Sequence, residues 1–375
     1  MAAQVIPKLK AKRVLHIVPA LFGAADGVVG GAERYALELA RHMADEIPTT
    51  LVSFGERERH ETLGQLKIHV IGNPWYVRSQ RTNPISLSLV SELRKADVIH
   101  CHQQHVLASS VAALTGKLTG RRVFVSDLGG GGWDVSAYVS TDRWYHGHLH
   151  ISDYSRRIFG QAENDWAHVI WGGVDARKFS PSEAAESDGS ILFVGRLLPH
   201  KGIDDLIQAV TPAMKMKIIG RALHAEYFEH LKELARDKQV EFVLDCDDEE
   251  LIAAYRRGMC VVLPSVYKTI YGEETRIPEL LGQTLLEGMA CGLPAICTNV
   301  AGMPEVVDDG VTGFIVPPND PNALRERLIW LIENPAKAKA MGQAGRQRIL
   351  DKFTWPTVVR RCLEIYASKA NGCAA

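Results

Sequence analysis

The sequence predicts an α/β protein built from two doubly wound, mostly parallel sheets. Three observations predict it. The chain has 375 residues, more than one hydrophobic core usually organises. Short apolar runs alternate with stretches of helical periodicity in both halves, the pattern of strands joined by crossover helices. Glycine-rich loops follow several of the apolar runs, where backbone approaches ligand beyond strand ends.

Composition narrows the class. The hydrophobic fraction is 46% and the formal net charge −1, so ordinary globular cores are expected and bulk charge does not point to nucleic acid. The seven cysteines include no C-x-x-C pair, and no signal-peptide pattern is visible, so reduced thiols in a cytoplasmic setting are expected. No apolar run approaches the ~20 residues of a membrane span. Lys8, Lys10, Lys12 and Arg13 form a small basic cluster. It reads as a solvated lead-in to the first strand, with weak peripheral contact to acidic lipid at an inner membrane face as the alternative.

In the N-terminal half, residues 14–18 read as a buried strand, 19–31 as a loop with four glycines, and 33–44 as a helix with Ala36, Ala40 and Met43 at helical spacing. Strand, glycine loop and helix form a phosphate-approach layout. The G-x-G-x-x-G fingerprint is absent, which argues against a nicotinamide dehydrogenase. Further strands are expected at 50–53, 67–71, 97–101 and 122–126. Beyond two of these lie His100-Cys101-His102-Gln103-Gln104-His105 and Ser126-Asp127-Leu128 followed by four glycines and Trp133-Asp134. The histidine spacing matches no zinc pattern. His146, His148 and His150 alternate onto one strand face and are taken as structural or acceptor-facing.

In the C-terminal half, residues 182–190 are small and polar, as in linkers. Residues 191–196 read as strand into turn, and Ile203, Leu206, Ile207 and Val210 as an amphipathic helix behind it. Arg196 and Lys201 lie between them, two cations that suit a pyrophosphate, one by fork geometry and one as a point charge. Asp245-Cys246-Asp247 imitates a metal-binding D-x-D. The acids that follow, with Arg256 and Arg257 later, instead complement a helix dipole.

The most informative stretch runs from Pro278 to Glu305. Glu279 and Glu287 have seven residues between them. Gly282 permits a tight turn, and a helix begins near Gln283 with Leu285, Leu286, Met289 and Ala290 on its apolar face. Gly292 and Pro294 end it before a short buried strand at 295–298. A helix that opens on a glycine presents free amides and a positive dipole end to an anion. A ligand with phosphate in its middle and a diol at each end, such as a nucleotide sugar, could then meet one carboxylate at each end. Solvated helix-start glutamates are the plainer reading of the pair taken alone.

Glu279 to Glu287, then Gly-Met-Ala-Cys-Gly-Leu-Pro, Gly302-Met-Pro-Glu305 and Gly310-Val-Thr-Gly-Phe, resemble the signature of the family-4 (group 1) glycosyltransferases of GT-B fold. The run Val194-Gly-Arg-Leu-Leu-Pro-His-Lys-Gly202 resembles the family's phosphate-binding segment, and Gly30-Gly31-Ala32-Glu33-Arg34 its first loop. The resemblance implies two Rossmann-like domains facing a cleft, residues 1–175 on the acceptor side and 176–355 binding the nucleotide sugar. It also implies a last helix, 356–375, that crosses back to the first domain. It implies transfer to a hydroxyl acceptor (glycan, lipid-linked or small molecule) with retention of anomeric configuration. No metal or cofactor is implied, and a UDP-sugar is the favoured donor. The donor-binding residues implied are Gly30, Gly31, Arg196, Lys201, Glu279, Gly282, Gln283, Thr284, Leu285 and Glu287, with Glu279 toward the sugar and Glu287 toward the ribose. The catalytic residues implied are Glu279, Arg196, Lys201 and Asp127. Relatives often carry histidine where Ser126 or Asp127 stands, so Asp127 is taken as a substitute hydrogen-bond acceptor, with a loop that serves the acceptor substrate as the alternative. A nucleotide-sugar epimerase, or another GT-B-fold enzyme acting on a nucleotide sugar, is the rival reading.

Overall fold

The computed structural model of the chain describes residues 13–21, 31–128, 132–182 and 184–368. Two compact units emerge, one made of Met1–Ile151, Phe159–Trp171 and Trp355–Ala375, the other of Ser152–Ile158 and Gly172–Thr354.

Unit 1 begins with β1 (Val14–Leu21), α1 (Gly31–Ala44), β2 (Thr49–Gly55) and the hairpin β3 (Arg59–Leu63) and β4 (Leu66–Gly72). A two-residue pair follows, β5 (Trp75–Tyr76) with β6 (Pro84–Ile85), then α2 (Ser88–Arg94), β7 (Val98–Cys101), α3 (Leu107–Thr119), β8 (Arg122–Val125) and β9 (Gly147–His150). α4 (Asp153–Ile158) belongs by contacts to unit 2, and β10 (Ala167–Val169) closes the sheet of unit 1. The sheet has eight strands in the order β10-β9-β8-β7-β1-β2-β4-β3, parallel except for β3 against β4. β1 pairs with β2 on one side and β7 on the other. It is covered on both faces, so its run is apolar throughout apart from His16.

The polar, exposed β3 carries no hydrophobic alternation, and sequence periodicity did not mark it. The last helix among the described residues, α11 (Trp355–Ala367), buries Val358, Val359, Cys362, Leu363 and Tyr366 against Val14, Leu39 and Met43 in the core of unit 1. Arg122 donates to the carbonyls of Tyr366 and Ser368, and Arg361 to that of Ile170, so cations satisfy backbone acceptors around this helix.

Unit 2 runs β11 (Ile191–Val194), α5 (Ile203–Ala209), β12 (Lys215–Ile219), α6 (Ala225–Leu234), β13 (Gln239–Val243), α7 (Asp248–Arg257) and β14 (Cys260–Leu263). It continues with α8 (Gln283–Ala290), β15 (Ala295–Thr298), β16 (Gly313–Val316), α9 (Pro321–Glu333) and α10 (Pro335–Lys352). Its six strands are all parallel, in the order β13-β12-β11-β14-β15-β16. Both units are thus doubly wound, as the alternation of apolar runs and helical stretches predicts. Among the described residues no helix is long and apolar enough to cross a membrane.

The core of unit 1 holds a polar cluster. His16 and His100 are register partners on β1 and β7. His16 Nδ1 lies 2.8 Å from His102 Nε2. His100 Nε2 meets Ser126 Oγ at 2.9 Å, and its Nδ1 meets the Tyr366 hydroxyl of α11 at 2.7 Å. Burial holds His16 down at about 3, and holds His100 and His102 well below the ordinary histidine value with help from their neighbours. On β9, His148, held at about 4 by burial, contacts the Asp142 carbonyl and Gln161, and Gln161 also bonds His150. All five of these histidines, His16, His100, His102, His148 and His150, are buried.

A pH dependence follows. The folded values lie below the unfolded one, so the neutral rings contribute their full stability above about pH 6.5 and lose it as pH falls toward 4. The unfolded chain then binds protons the folded chain refuses, at about 1.4 kcal/mol per pH unit per histidine. Urea midpoints measured from pH 7.5 to 5 should fall steeply below 6.5. A flat profile over that window would contradict neutral burial of the cluster.

Candidate active site

Strand order in unit 2 reverses at β11, with β12 on one side and β14 on the other. The carboxyl ends of β11 and β14 therefore splay apart, and such a switch point is where open α/β sheets place ligands. β11 exits through Gly195 and Arg196 into a 3-10 turn, Pro199–Lys201. β14 exits through Pro264 and Ser265. The two exits are tied together by the Val266 amide, which donates to the His200 carbonyl at 2.9 Å.

Lys201 points into this crevice and forms an ion pair with Glu279. Both side chains are largely out of solvent, at 11% and 15% exposure, so the pair is much less screened than a surface bridge. The Ser265 hydroxyl reaches the same oxygen, Oε1 of Glu279, at 3.5 Å. The chain between Ser265 and Glu279 makes a closed excursion. Thr275 bonds back to Tyr267 at 2.9 Å, Tyr267 accepts from the Ala301 amide at 2.8 Å, and Tyr154 donates to the Arg276 carbonyl at 2.5 Å.

Glu279 leads into α8. Gly282 stands at the helix N-cap with φ 100°, where a Cβ would press on Leu285 and Met303 at 3.0 and 3.3 Å. As a glycine it makes no side-chain capping bond. The helix opens with its amides and positive dipole end on the Glu279 side. Gln283 spends its side-chain amide on the Gly173 carbonyl at 2.9 Å. Thr284 is half-buried. Leu285 is wholly buried and its amide bonds the Gly282 carbonyl, so it serves the core and sends no polar group outward. One turn on, the buried Glu287 accepts from the Tyr255 hydroxyl of α7 at 3.1 Å.

Arg196 is exposed at the end of β11. His200, half-buried beside Lys201, is held at about 4 by burial, then by Lys201, with Arg196 adding to the effect and Glu279 opposing it. A neutral imidazole thus stands among three charges. His200, Ser265 and Tyr255 were not picked out from sequence. His200 had a signal, its place next to Lys201. The other two come from strand and helix ends far along the chain.

The remaining sequence candidates lie in unit 1 or outside the description. Gly30 falls outside the described residues, and Gly31 is the first residue of α1. Ser126 is fully buried and its hydroxyl meets His100, whereas Asp127 is half-buried at the carboxyl end of β8. Of the two, Asp127 is the more exposed. Asp247 caps α7 in a full capping box with Glu250, as the dipole reading of that acidic run expected. Glu305 accepts from the amides of Asp153 and Tyr154, both at 2.7 Å, and so caps α4.

Two family models match the chain: "Glycosyl transferases group 1" over residues 174–348 and "Glycosyltransferase Family 4" over residues 29–178. An alpha-maltose-1-phosphate synthase of Mycobacterium tuberculosis is 27% identical over 323 residues, 75% of this chain and 81% of that protein. A GDP-mannose-dependent alpha-(1-6)-phosphatidylinositol monomannoside mannosyltransferase of Mycolicibacterium smegmatis is 30% identical over 239 residues, 58% of this chain and 61% of that protein. Among solved structures, Anabaena HepE in complex with UDP and glucose superposes with a TM-score of 0.71 at 19% identity, covering 96% of this chain and 100% of that one. That likeness shows the GT-B fold of two Rossmann-like domains.

The ion pair makes its own prediction. A double-mutant cycle with Lys201→Met and Glu279→Gln, read by urea unfolding, should return a coupling of about 1–3 kcal/mol. Additivity within error would show that the two side chains do not interact in solution.

Proposed function

This chain belongs to the group 1 glycosyltransferases of family 4, enzymes that use nucleotide sugars, and from that premise we propose a metal-independent transfer from a nucleotide-diphosphate sugar to a hydroxyl acceptor, with retention of anomeric configuration. The observation that carries the proposal is the Lys201–Glu279 pair at the switch point, next to a helix N-terminus without a side-chain cap. A diphosphate placed there would take Lys201 from Glu279, gain Arg196 from the end of β11, and meet the first amides of α8 at Gly282, Gln283 and Thr284. Charge developing on the departing diphosphate would then be met by fixed donors in a partly dry site. This is the support for working without a metal ion. No residue is assigned as a nucleophile.

Glu279, released from Lys201, would accept hydrogen bonds from the donor sugar. Glu287, beside Tyr255, would accept from the ribose. Leu285 would contribute through the core that sets the helix. On unit 1 we assign Asp127 as a hydrogen-bond acceptor for the reacting sugar or the acceptor, and Gly30 and Gly31 to the donor phosphates. Retention rests on the family resemblance. A UDP-sugar is the first donor to test and a GDP-sugar the second, since HepE was solved with UDP and the mannosyltransferase relative is GDP-mannose-dependent. The acceptor class, glycan, lipid-linked or small molecule, stays open. The working location is cytoplasmic, with peripheral contact at the inner face of the membrane for a lipid-linked acceptor.

The test uses purified protein, excess EDTA, a panel of UDP- and GDP-sugars and a cell extract as acceptor source. Mass spectrometry should find one glycosylated product, and the anomeric proton coupling should match that of the donor. Activity lost to EDTA and restored by a divalent ion would overturn the metal-free reading. An inverted anomer would overturn retention, and isomerised donor without transfer would overturn the reaction itself.

A further inference from the structure

At the edge of the unit 1 sheet, His60 of β3 stands directly opposite His69 of β4. Their rings stack with centroids 4.2 Å apart and 25° between planes. The turn from β2 into β3 passes over Gly72, where a Cβ would collide with the Glu58 amide. That close passage brings Glu58 onto the same spot, with its Oε1 3.3 Å from His69 Nε2. On the other side of the ring, His69 Nδ1 lies 3.3 Å from Glu92 Oε1 of α2, and Glu92 is held by Lys95 at 2.7 Å. His69 is 7% exposed, whereas Glu58 and His60 face solvent.

This arrangement poses a problem in donors and acceptors. A neutral imidazole has one N–H, so it can serve one carboxylate and must turn a lone pair on the other. In the structure His69 Nε2 makes the hydrogen bond to Glu58, while the buried Nδ1 has no hydrogen-bond partner although Glu92 is 3.3 Å away. With the N–H turned to Nδ1, His69, Glu58 and His60 each offer one lone-pair atom, and these lie within 4.8 Å of one another. A cation resolves this. We propose that Glu58, His60 and His69 bind a divalent transition-metal ion of the zinc class, with Glu92 orienting His69 from behind. The 3.3 Å between His69 Nε2 and Glu58 Oε1 is close to the edge of a tetrahedron with metal–ligand bonds of about 2.1 Å, roughly 3.4 Å. Carboxylate, histidine and metal in line is the usual way such a ligand is fixed. The two exposed ligands leave an open side for water or a further ligand. Two imidazoles and one carboxylate suit zinc, nickel or copper rather than magnesium or calcium. The ion would pin the β3–β4 hairpin at the open edge of the sheet. It takes no part in the proposed transfer, whose residues are elsewhere in the chain.

The experiment is a calorimetric titration of tag-free, EDTA-stripped protein with zinc chloride. Wild type should bind one zinc per chain at this site. His60→Ala and Glu58→Gln, both at exposed positions, should each weaken it at least tenfold. Glu92→Gln should weaken it 10–100-fold without touching a ligand. Cobalt in place of zinc should give tetrahedral d–d absorption in wild type and lose it in His60→Ala. Zinc binding of equal affinity in wild type, His60→Ala and Glu58→Gln would assign the ion to another site and overturn the proposal. Absence of binding in wild type would overturn it too.

Discussion

The Lys201–Glu279 ion pair is the interaction on which the unit 2 site depends. It joins the exit of β11 to the chain that leaves β14 and enters α8. Neither partner is useful there alone. A lone ammonium in that half-dry crevice would be costly, and so would a lone carboxylate. Paired, they keep the crevice neutral and in shape. The pair also suits exchange, because a diphosphate offers Lys201 a stronger partner and leaves Glu279 free to accept from hydroxyls. His200 fits that balance. Burial and the adjacent cations keep it neutral, so it adds no further positive charge to the crevice.

Unit 1 is built on a different principle. Its sheet carries a buried line of histidines that bond to Ser126, Tyr366, Gln161 and one another, while His102 Nδ1 is buried without a hydrogen-bond partner. Directional bonds of this kind restrict the packing, because each bonded member must be placed for its partner to be met. Tyr366 brings α11 into that network, so the C-terminal helix is tied to the sheet by a directional bond as well as by its apolar face.

Much of this was legible in the sequence, for identifiable reasons. Buried parallel strands read as apolar runs, and β1, β11 and β15 were visible on that ground. Gly282 and the periodicity after it announced α8, and Lys201 stood out as a cation in a strand-exit loop. Long-range partners were not legible. Tyr255 meets Glu287 across 32 residues, and Glu305 caps α4 across 152 and 151. Nothing local in either segment encodes the other. The polar edge strand β3 was missed because its side chains are exposed and its pairing is made by backbone. That Ser126 is the buried one of the pair Ser126 and Asp127, bonded to His100, was not legible either, because its partner lies on another strand.

The central claim is that the diphosphate sits between the two glutamates, with the nucleoside toward Glu287 and the sugar toward Glu279. Calorimetric titration of uridine and guanosine diphosphates into Glu287→Gln and Glu279→Gln tests it most directly, because neither ligand carries the sugar. Glu287→Gln should weaken the nucleotide that wild type binds by roughly 1–3 kcal/mol, the cost of a buried hydroxyl left without its acceptor. Glu279→Gln should bind it as well as wild type or more tightly, since Lys201 is released. The opposite pattern, with affinity lost in Glu279→Gln and kept in Glu287→Gln, would show that the donor lies the other way round.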